Sequence, residues 1–471
     1  MEQSVNKSRR KFLKKISILS TFGSLLFGYD SGVINGSLSF MSRKDQLNLT
    51  PLTEGLVTSS LLLGAALGAV AWGRLADKYG RKKILKILAA IFFFSTVGCA
   101  VSPNAAVIIM CRFIVGVGVG GVSVVVPTFL AEMAPTEIRG SLVSQDQLMI
   151  VTGQLLAYIF NSILGNVCNN PGVWRYMIVI STIPAIVLWF GMFIVPETPR
   201  WLAANGKVAQ ALEVLRQTRD DAEAESDLRE IKKNLEIEKN LDKATFKDLG
   251  TPWIKRIVVI GCVIAIIQQF AGINVIMYYG TTVLEQSGFG VKTALIANVA
   301  NGCMSVIASW SYMHHMANRY RRRPLLIGGY VGTTLTLLAM SIVSRVLVGT
   351  AVLPYLVVVL TMIYLAIFQS TLGPLTWLLL SEIFPMRVRG IGYGVATFFN
   401  WIGNFGVGLC FPIVVATIGL SSTFMLFVGC GVICIICAYK FVPETFGKSL
   451  EEMEQYFRNY DKSELTDKIA K

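Results

Sequence analysis

Charged side chains are scarce in this chain, and histidine is almost absent. Only 15% of the 471 residues are charged and two are histidine, whereas 53% are hydrophobic and the mean hydropathy is +0.58. One soluble core cannot bury that much apolar sequence, so a soluble protein is excluded. No nucleophile–base pair and no cluster of metal ligands is recognisable, so we expect neither an enzyme nor a metal site.

Cysteine is present but carries no redox signal. The nine cysteines lie mostly in apolar runs, and Cys434 and Cys437, although spaced as CxxC, lie in the last of these runs. Disulfides and metal binding are therefore not implied. The two histidines, His314 and His315, are adjacent, and no role is assigned to them.

Long apolar runs make up most of the sequence. Roughly 20 apolar residues suffice for a helix to cross a bilayer, and no strand-like alternation competes with that interpretation. The first run contains Tyr29 and Asp30 and has no cleavage site after it, so it is not a signal peptide. The sequence predicts an all-α polytopic membrane protein with twelve transmembrane helices, centred near Leu26, Gly64, Phe93, Val119, Ala157, Val187, Ile267, Ile307, Thr334, Met362, Phe399 and Phe427.

The net charge of +14 follows the membrane topology. With both termini in the cytoplasm, most of the 43 basic residues fall in cytoplasmic segments, as the positive-inside rule requires. We therefore expect a multi-pass protein of the cell membrane whose partner is the lipid bilayer. The positive charge needs no nucleic acid to explain it.

The sequence contains an internal duplication, because three motifs of the first half recur in the second half. GRLADKYGRKK (73–83) corresponds to ANRYRRRP (317–324), AEMAPTEIRGS (131–141) to SEIFPMRVRGI (381–391), and VPETPRWL (195–202) to VPETFGKSL (442–450). A nearly constant separation of roughly 240 to 250 residues indicates a duplication. Six spans per copy give two parallel six-helix repeats, which is the plan of a rocking transporter with its site at the membrane midplane between the halves.

The repeats set the predicted domain limits. We expect an N-terminal six-helix bundle (1–195), a cytoplasmic helical linker domain (196–255), a C-terminal six-helix bundle (256–442) and a cytoplasmic tail (443–471). The polar stretch 203–252 fits either a solvated linker or a helical subdomain that latches the two halves, and the sequence leaves both open.

These signatures, together with QQFAGINVIMYYG, GPLTWLLLSE and PETFG, resemble the sugar porter family of the major facilitator superfamily over nearly the whole chain. FGYDSGVINGSL, DQLNLTPLTEGLVTSSLLLGAALGA and ANVANGCMSV are closest to bacterial myo-inositol/proton symporters. The resemblance implies a rocker-switch transporter for a small polyhydroxylated solute, built from two six-helix bundles and a cytoplasmic helical domain.

Amide and aromatic side chains inside the spans are candidate substrate contacts. Amides both donate and accept hydrogen bonds, as sugar hydroxyls do, and an aromatic face suits the CH surface of the ring. Because Gln268 and Asn274 point about 120° apart on a straight helix, we expect a break at Gly272. The alternative is that the amides only join helices. The candidates, which match the sugar-contacting positions of the family, are Gln154, Gln268, Gln269, Asn274, Tyr278, Trp377 and Asn400.

Asp30 in span 1 is the candidate proton site, with Arg112 in span 4 as its partner. A carboxylate within a membrane is costly and is a functional hypothesis by default. Ionised Asp30 would pair with Arg112, and protonation would release the helices. In the family an aspartate here accompanies proton symport, which fits this interpretation. A static buried salt bridge is the alternative.

The repeated charges are the candidate cytoplasmic gate. Glu132 and Arg139 have the same spacing as Glu382 and Arg389, and Asp77, Arg81 and Lys82 lie in the loop between spans 2 and 3. They resemble the inner salt-bridge network of the family. In the second copy Asn318 and Arg321 replace the usual acid and glycine, which predicts a weaker latch.

Two glycine-containing stretches complete the candidates. The glycines at 116, 118, 120 and 121 indicate close helix packing rather than a nucleotide loop. Gly373 and Pro374 predict either a hinge or a static kink in span 10.

The sequence thus predicts a proton symporter that imports a monosaccharide or cyclitol, with myo-inositol as first choice. It would use no cofactor other than the proton gradient and would function as a monomer. A facilitative uniporter for a hexose or pentose is the alternative within the fold, and a non-transporting sugar sensor is the alternative from another class.

Overall fold

The computed structural model describes residues 2–135, 139–240, 245–316, 319–385, 387–448 and 452–458. Within these residues the chain is helical and contains no strand. The helices are α1 (Glu2–Met41), α2 (Pro51–Tyr79), α3 (Arg81–Ala100), α4 (Ala105–Met133), α5 (Arg139–Val167), α6 (Val173–Ile180), α7 (Thr182–Ile194), α8 (Pro199–Ala204), α9 (Val208–Thr218), α10 (Asp221–Asn240), α11 (Pro252–Phe270), α12 (Ile273–Gln286), α13 (Val291–Ser311), α14 (Arg322–Val346), α15 (Leu353–Ser370), α16 (Leu372–Ile383), α17 (Arg389–Ile418) and α18 (Leu420–Phe441).

The twelve predicted spans lie on α1 and on eleven further apolar segments. Eleven segments of the described chain are long and apolar enough to cross a membrane, and three of them combine two consecutive helices, namely α6 with α7, α11 with α12, and α15 with α16. The first predicted span lies on α1. The prediction of an all-α polytopic protein with twelve transmembrane helices is confirmed.

The chain forms two compact units, Met1–Leu47 with Leu63–Asp242, and Asn48–Leu62 with Lys243–Lys471. Within unit 1, α1 packs on α5, and α3 packs on α4 and α7. Within unit 2, α11 packs on α17, and α14 packs on α15 and α18. Each half thus repeats the same helix pairing, as the duplication predicts.

Glycines allow the helices of unit 1 to approach closely. A Cβ atom added at Gly28 would lie 1.8 Å from the carbonyl oxygen of Ile150, so α1 and α5 meet backbone to backbone. On α4, a Cβ at Gly120 would lie 2.1 Å from the carbonyl oxygen of Ala65 on α2. The prediction that the span 4 glycines serve helix packing is confirmed.

The segment after α7 is a helical subdomain that shares the core of unit 1. Leu202, Ala211 and Leu215 on α8 and α9 belong to one buried cluster with Met133 of α4. The buried Arg219 donates from Nη2 to the carbonyl oxygen of Ala134 at 3.0 Å and thereby caps α4. Helices that pack on the first bundle therefore follow α7, while the predicted latch between the halves and the predicted domain limits remain predictions.

Candidate solute and coupling sites

Two predicted spans of unit 2 are broken. Gly272 has φ 90° and ψ 14° and separates α11 from α12, which confirms the predicted break, because glycine has no Cβ to oppose the left-handed conformation. Span 10 breaks at Thr371 (φ −135°, ψ −80°). Gly373 and Pro374 follow within the first turn of α16, where the N–H that proline lacks is not needed.

The predicted amides of unit 2 meet in one buried hydrogen-bond network. Gln269 donates from Nε2 to Asn400 Oδ1 at 3.0 Å and accepts from Asn274 Nδ2. Asn400 donates from Nδ2 to Gln268 Oε1 at 2.9 Å. Gln268 donates from Nε2 to the carbonyl oxygens of Leu372 and Gly373, each at 3.3 Å. The break at Gly272 thus brings together side chains of α11 and α12 that a straight helix would separate.

The four amides differ in the capacity left for a solute. An amide has two N–H donors and one oxygen with two lone pairs. Asn400 uses both donors, on Gln268 and on the carbonyl oxygen of Ala265 at 2.9 Å. Gln269 uses both donors as well, on Asn400 and on Gln268. Asn274 is only half-buried and gives one hydrogen bond within the described chain, so a donor and its oxygen remain for a solute.

The predicted aromatic residues lie on the helices beside this network. Tyr278 follows Asn274 by one helical turn, and its hydroxyl accepts from Asn404 Nδ2 at 3.3 Å. Trp377 on α16 is half-buried, and its ring lies 6.3 Å from that of Tyr393. Asn404 was not predicted, although its position one turn after Asn400 on α17 could have indicated it.

Gln154 lies in unit 1, on α5. It is buried, and its Oε1 has no hydrogen-bond partner among the residues that the structure describes. The roles of all seven predicted substrate residues remain predictions.

Asp30 and Arg112 form the predicted buried ion pair. Arg112 donates from Nη1 to Oδ2 of Asp30 at 2.9 Å and to Oδ1 at 3.1 Å, and both side chains are 3% exposed. A buried pair of this kind is weak evidence for stability, because desolvation of the two charges offsets their attraction. The pairing itself is as predicted.

In unit 1 the predicted gate residues surround Arg81. Its Nη2 lies 2.7 Å from Asp77 Oδ1 and 3.0 Å from Glu132 Oε1. Glu197, which was not predicted, accepts from the backbone N–H groups of Arg81 and Lys82 at 3.0 and 3.1 Å. Glu197 thus caps α3 with a negative charge, which suits a helix N-terminus.

Unit 2 repeats this arrangement with longer distances. Glu444 accepts from the backbone N–H groups of Arg322 and Arg323 at 3.1 and 3.3 Å and caps α14. Arg322 Nη2 lies 3.7 Å from Glu382 Oε1. Arg389 donates from Nε to the carbonyl oxygen of Phe384 at 3.4 Å.

Other gate predictions fall at or beyond the limits of the described chain. The side chain of Arg139 and all of Asn318 lie outside the described residues. Arg321 is exposed with φ −63°, whereas its counterpart Gly80 has φ 95°. The backbone of the second copy has therefore moved out of the region that favours glycine, which accommodates an arginine.

Two carboxylates outside the spans have shifted pKa values. Burial raises the pKa of Glu197, and the N–H groups that it accepts from oppose that rise. Hydrogen bonds from the backbone and side chain of Thr245 lower the pKa of Asp248. Asp248 lies 3.1 Å from Nη2 of Arg387, so an ion pair joins the turn before α11 to the turn before α17.

Comparison with known proteins agrees with this arrangement of helices. The family model described as "Sugar (and other) transporter" matches residues 16–457. The chain belongs to this sugar transporter family. It is a transporter by family rather than an enzyme.

Relatives of this sugar transporter differ in the solute that their names state. The major myo-inositol transporter IolT of Bacillus subtilis is 53% identical over 97% of this chain and 96% of its own length. The glucose transporter GlcP of Staphylococcus epidermidis is 38% identical over 94% and 97%. A partially occluded inward-open structure of the xylose transporter XylE from E. coli superposes with a TM-score of 0.82 at 29% identity, covering 93% of this chain and all of XylE.

The sugar transporter contains a second buried polar network that the sequence analysis missed. Asn298 donates from Nδ2 to Thr281 Oγ1 at 2.9 Å, and Asn301 donates to Asn298 Oδ1 at 3.2 Å. Thr361 donates to Asn301 Oδ1 at 3.0 Å. The network joins α12, α13 and α15. In the part of the chain that the structure describes, no group of three acidic, cysteine or histidine side chains could hold a metal.

Proposed function

We propose that this sugar transporter imports a monosaccharide or cyclitol by proton symport, with myo-inositol as the first choice. The observation that carries the coupling is the buried Asp30–Arg112 pair. The first choice of solute rests on the 53% identity to a myo-inositol transporter. Hexoses are the second candidate, because a glucose transporter is 38% identical.

The amide network of unit 2 supports a polyhydroxylated solute. A ring hydroxyl needs a donor and an acceptor close together, and Asn274 retains both beside Gln269. Trp377 offers a half-buried aromatic face for the CH surface of the ring. Gln268 and Asn400, whose donors are engaged within the protein, position these groups. Their predicted direct contact with the solute would require an exchange of hydrogen bonds.

Protonation of Asp30 is the proposed coupling step. When Asp30 is ionised, both of its oxygens accept from Arg112. Adding a proton removes the Coulomb attraction between α1 and α4 and leaves a neutral acid that is cheaper to keep in a membrane. The helices then change their packing at lower cost, which couples proton binding to movement.

The proposed mechanism also requires a membrane orientation and a gate. Both termini face the cytoplasm, because the basic loops lie on that side. The charges around Arg81 and Arg322 close the cytoplasmic side, and the break at Thr371 makes α15 and α16 a hinge. The chain acts as a monomer, and the proton gradient is its only co-reactant.

The test follows external pH as myo-inositol is added to de-energised cells that express the chain. We expect alkalinisation for the wild type, none for Asp30→Asn, and a reduced signal for Asp30→Glu, which keeps a titratable group. Labelled inositol that equilibrates without a pH change would replace symport by uniport. If neither signal appears with inositol, hexoses or pentoses, the solute class is wrong and a sensor becomes the better hypothesis.

A further inference from the structure

Unit 2 contains a cation-lined cavity that the transport mechanism does not use. It has a volume of about 290 Å³ and lies where α11 and α14 begin and α18 ends. That volume is several times the roughly 30 Å³ that a water molecule occupies in the liquid, so a phosphate group fits inside. Arg256, Arg323, Lys440 and Lys448 line it together with one acid, Glu444.

Three of the four cations have no carboxylate partner among the described residues. Arg323 donates from Nη2 to the carbonyl oxygen of Tyr439 at 2.5 Å and lies over the ring of Tyr439. Its buried Nε has no hydrogen-bond partner within the described chain. Lys448 Nζ lies 5.2 Å from the ring centroid of Tyr456, and Lys440 lies in the last turn of α18. Unpaired cations beside a cavity favour an anionic occupant.

The single acid in the cavity is already engaged. Glu444 accepts from the backbone N–H groups of Arg322, Arg323 and Phe446 at 3.1, 3.3 and 3.0 Å. The carboxylate of Glu444 therefore interacts with the start of α14, and it forms no ion pair with Lys440 or Lys448 among the described residues. The side chains that line the cavity leave an excess of positive charge.

Comparison of the two repeats shows that two of these cations stand where the first repeat has aromatic residues. In the register that pairs Glu197 with Glu444, Lys440 corresponds to Phe193 and Lys448 to Trp201. In the first repeat Lys86 lies 3.9 Å from the centroid of the Phe193 ring, and Trp201 donates to the carbonyl oxygen of Asp77 at 3.0 Å. The second repeat thus has two lysines where the first has two aromatic residues.

We propose that this cavity binds a phosphate group, through Arg323, Lys440 and Lys448. Arginine and lysine are the usual phosphate ligands of proteins, and basic pockets between transmembrane helices bind phospholipid headgroups. The cavity lies at the ends of membrane-crossing helices, so the phosphate comes either from an anionic lipid or from a soluble phosphate. A bound phosphate holds the ends of α11, α14 and α18 together.

The test compares thermal unfolding of the purified full-length chain in three media. These are nanodiscs of phosphatidylcholine, nanodiscs of phosphatidylcholine with phosphatidylglycerol, and phosphatidylcholine nanodiscs with inorganic phosphate added at constant ionic strength. We expect the anionic lipid to raise the unfolding midpoint. Half-saturation should need about fivefold more lipid for each cation removed, and hence roughly 25-fold more for Lys440→Gln/Lys448→Gln.

Two further variants separate a site from general surface charge. Lys440→Arg/Lys448→Arg keeps the cations and should respond as the wild type does. Lys83→Gln/Lys86→Gln removes the same charge from the first repeat and should leave the response intact. A response to inorganic phosphate alone, lost in the Gln variant, would assign the site to a soluble phosphate. Equal responses of the wild type and Lys440→Gln/Lys448→Gln in every medium would overturn the proposal.

Discussion

At the scale of single residues, the amides of unit 2 differ in how much of their hydrogen-bonding capacity the protein uses. Asn400 is buried and gives both of its donors to neighbours on α11, whereas Asn274 is half-buried with hydrogen-bonding capacity to spare. We therefore expect the two asparagines to serve different purposes. The difference can be measured, because one role affects stability and the other affects affinity.

We expect Asn274→Ala to reduce mainly solute affinity and Asn400→Ala to reduce mainly the free energy of unfolding. Asn274→Ala removes one hydrogen bond to the solute, which should weaken myo-inositol binding about fivefold. It also removes one donor from Gln269, which should lower the free energy of unfolding by about 0.5–1 kcal/mol. Asn400→Ala leaves Gln268 and the carbonyl of Ala265 without their donor, so the free energy of unfolding should fall by about 1–3 kcal/mol. Calorimetric titration and thermal unfolding of both purified variants check this. Equal stability of the two would contradict the division of roles.

At the scale of helices, the backbone break in span 7 creates the network. The left-handed conformation of Gly272 turns the start of α12 so that Asn274 reaches Gln269. A side chain in that conformation costs roughly 1–2 kcal/mol, and a Cβ here would also lie 3.1 Å from the ring of Phe427. The geometry of the candidate site thus depends on one residue without a side chain.

Gly272→Ala should therefore impair solute binding more than folding. Strain of about 1–2 kcal/mol at the break should be relieved by a shift of α12 that moves Asn274 away from Gln269, so we expect binding to weaken about tenfold. Gly290→Ala is the matched control, because Gly290 has φ −71° and open space around its Cα. Titration of both variants with the same solute provides the comparison. If Gly272→Ala binds as tightly as the control, the break does not position the amides.

Contact between α1 and α5 leads to a second prediction at this scale. Gly28→Ala places a methyl group against the main chain of Ile150, which cannot move aside as a side chain can. The helices must separate, and we expect the free energy of unfolding to fall by about 3 kcal/mol, the upper end for overpacking. Gly73→Ala, whose Cβ would meet its nearest atom at 3.6 Å, should change little. Thermal unfolding distinguishes the two, and similar midpoints would mean that the helix pair tolerates the added methyl group.

At the scale of the whole molecule, the duplication made part of the structure predictable. Repeated motifs placed Glu132 and Glu382 at equivalent positions, and each lies beside the arginine that begins α3 or α14. The carboxylates that cap those helices, Glu197 and Glu444, were visible in the VPET motifs but were not assigned. Their partners are more than a hundred residues away, and no local spacing reveals such a contact.

Side-chain roles within the site were also beyond prediction. Residue type and the need for hydroxyl partners identified Gln268, Gln269, Asn274 and Asn400. Which of them faces a solute depends on how α17 is rotated against α11, and a one-residue shift on a helix turns a side chain by about 100°. Periodicity in apolar sequence does not define rotation that finely, because nearly every face is hydrophobic. The Asn298–Asn301 pair was missed for the same reason.

The two copies of the predicted cytoplasmic gate differ in their acidic residues. This difference leads to a prediction about the balance between inward-open and outward-open states. In the first copy Arg81 has two carboxylate partners, Asp77 at 2.7 Å and Glu132 at 3.0 Å. In the second copy Asn318 stands at the place of Asp77 in the sequence, and Arg322 lies 3.7 Å from Glu382. The weaker latch that Asn318 implies for the second half remains a prediction.

Restoring the acid should strengthen the latch of the second half. If an acid at 318 pairs as Asp77 does in the first copy, Asn318→Asp adds an ion pair worth about 0.5–1 kcal/mol, which should shift the equilibrium two- to fivefold towards the state closed on the cytoplasmic side. Spin-label distances across the cytoplasmic ends of the two halves measure that population, and Asn318→Ala, which adds no charge, is the control. Import should slow if opening to the cytoplasm limits it. Unchanged populations in Asn318→Asp would mean that the arginine is held by other contacts and that the missing acid does not set the balance.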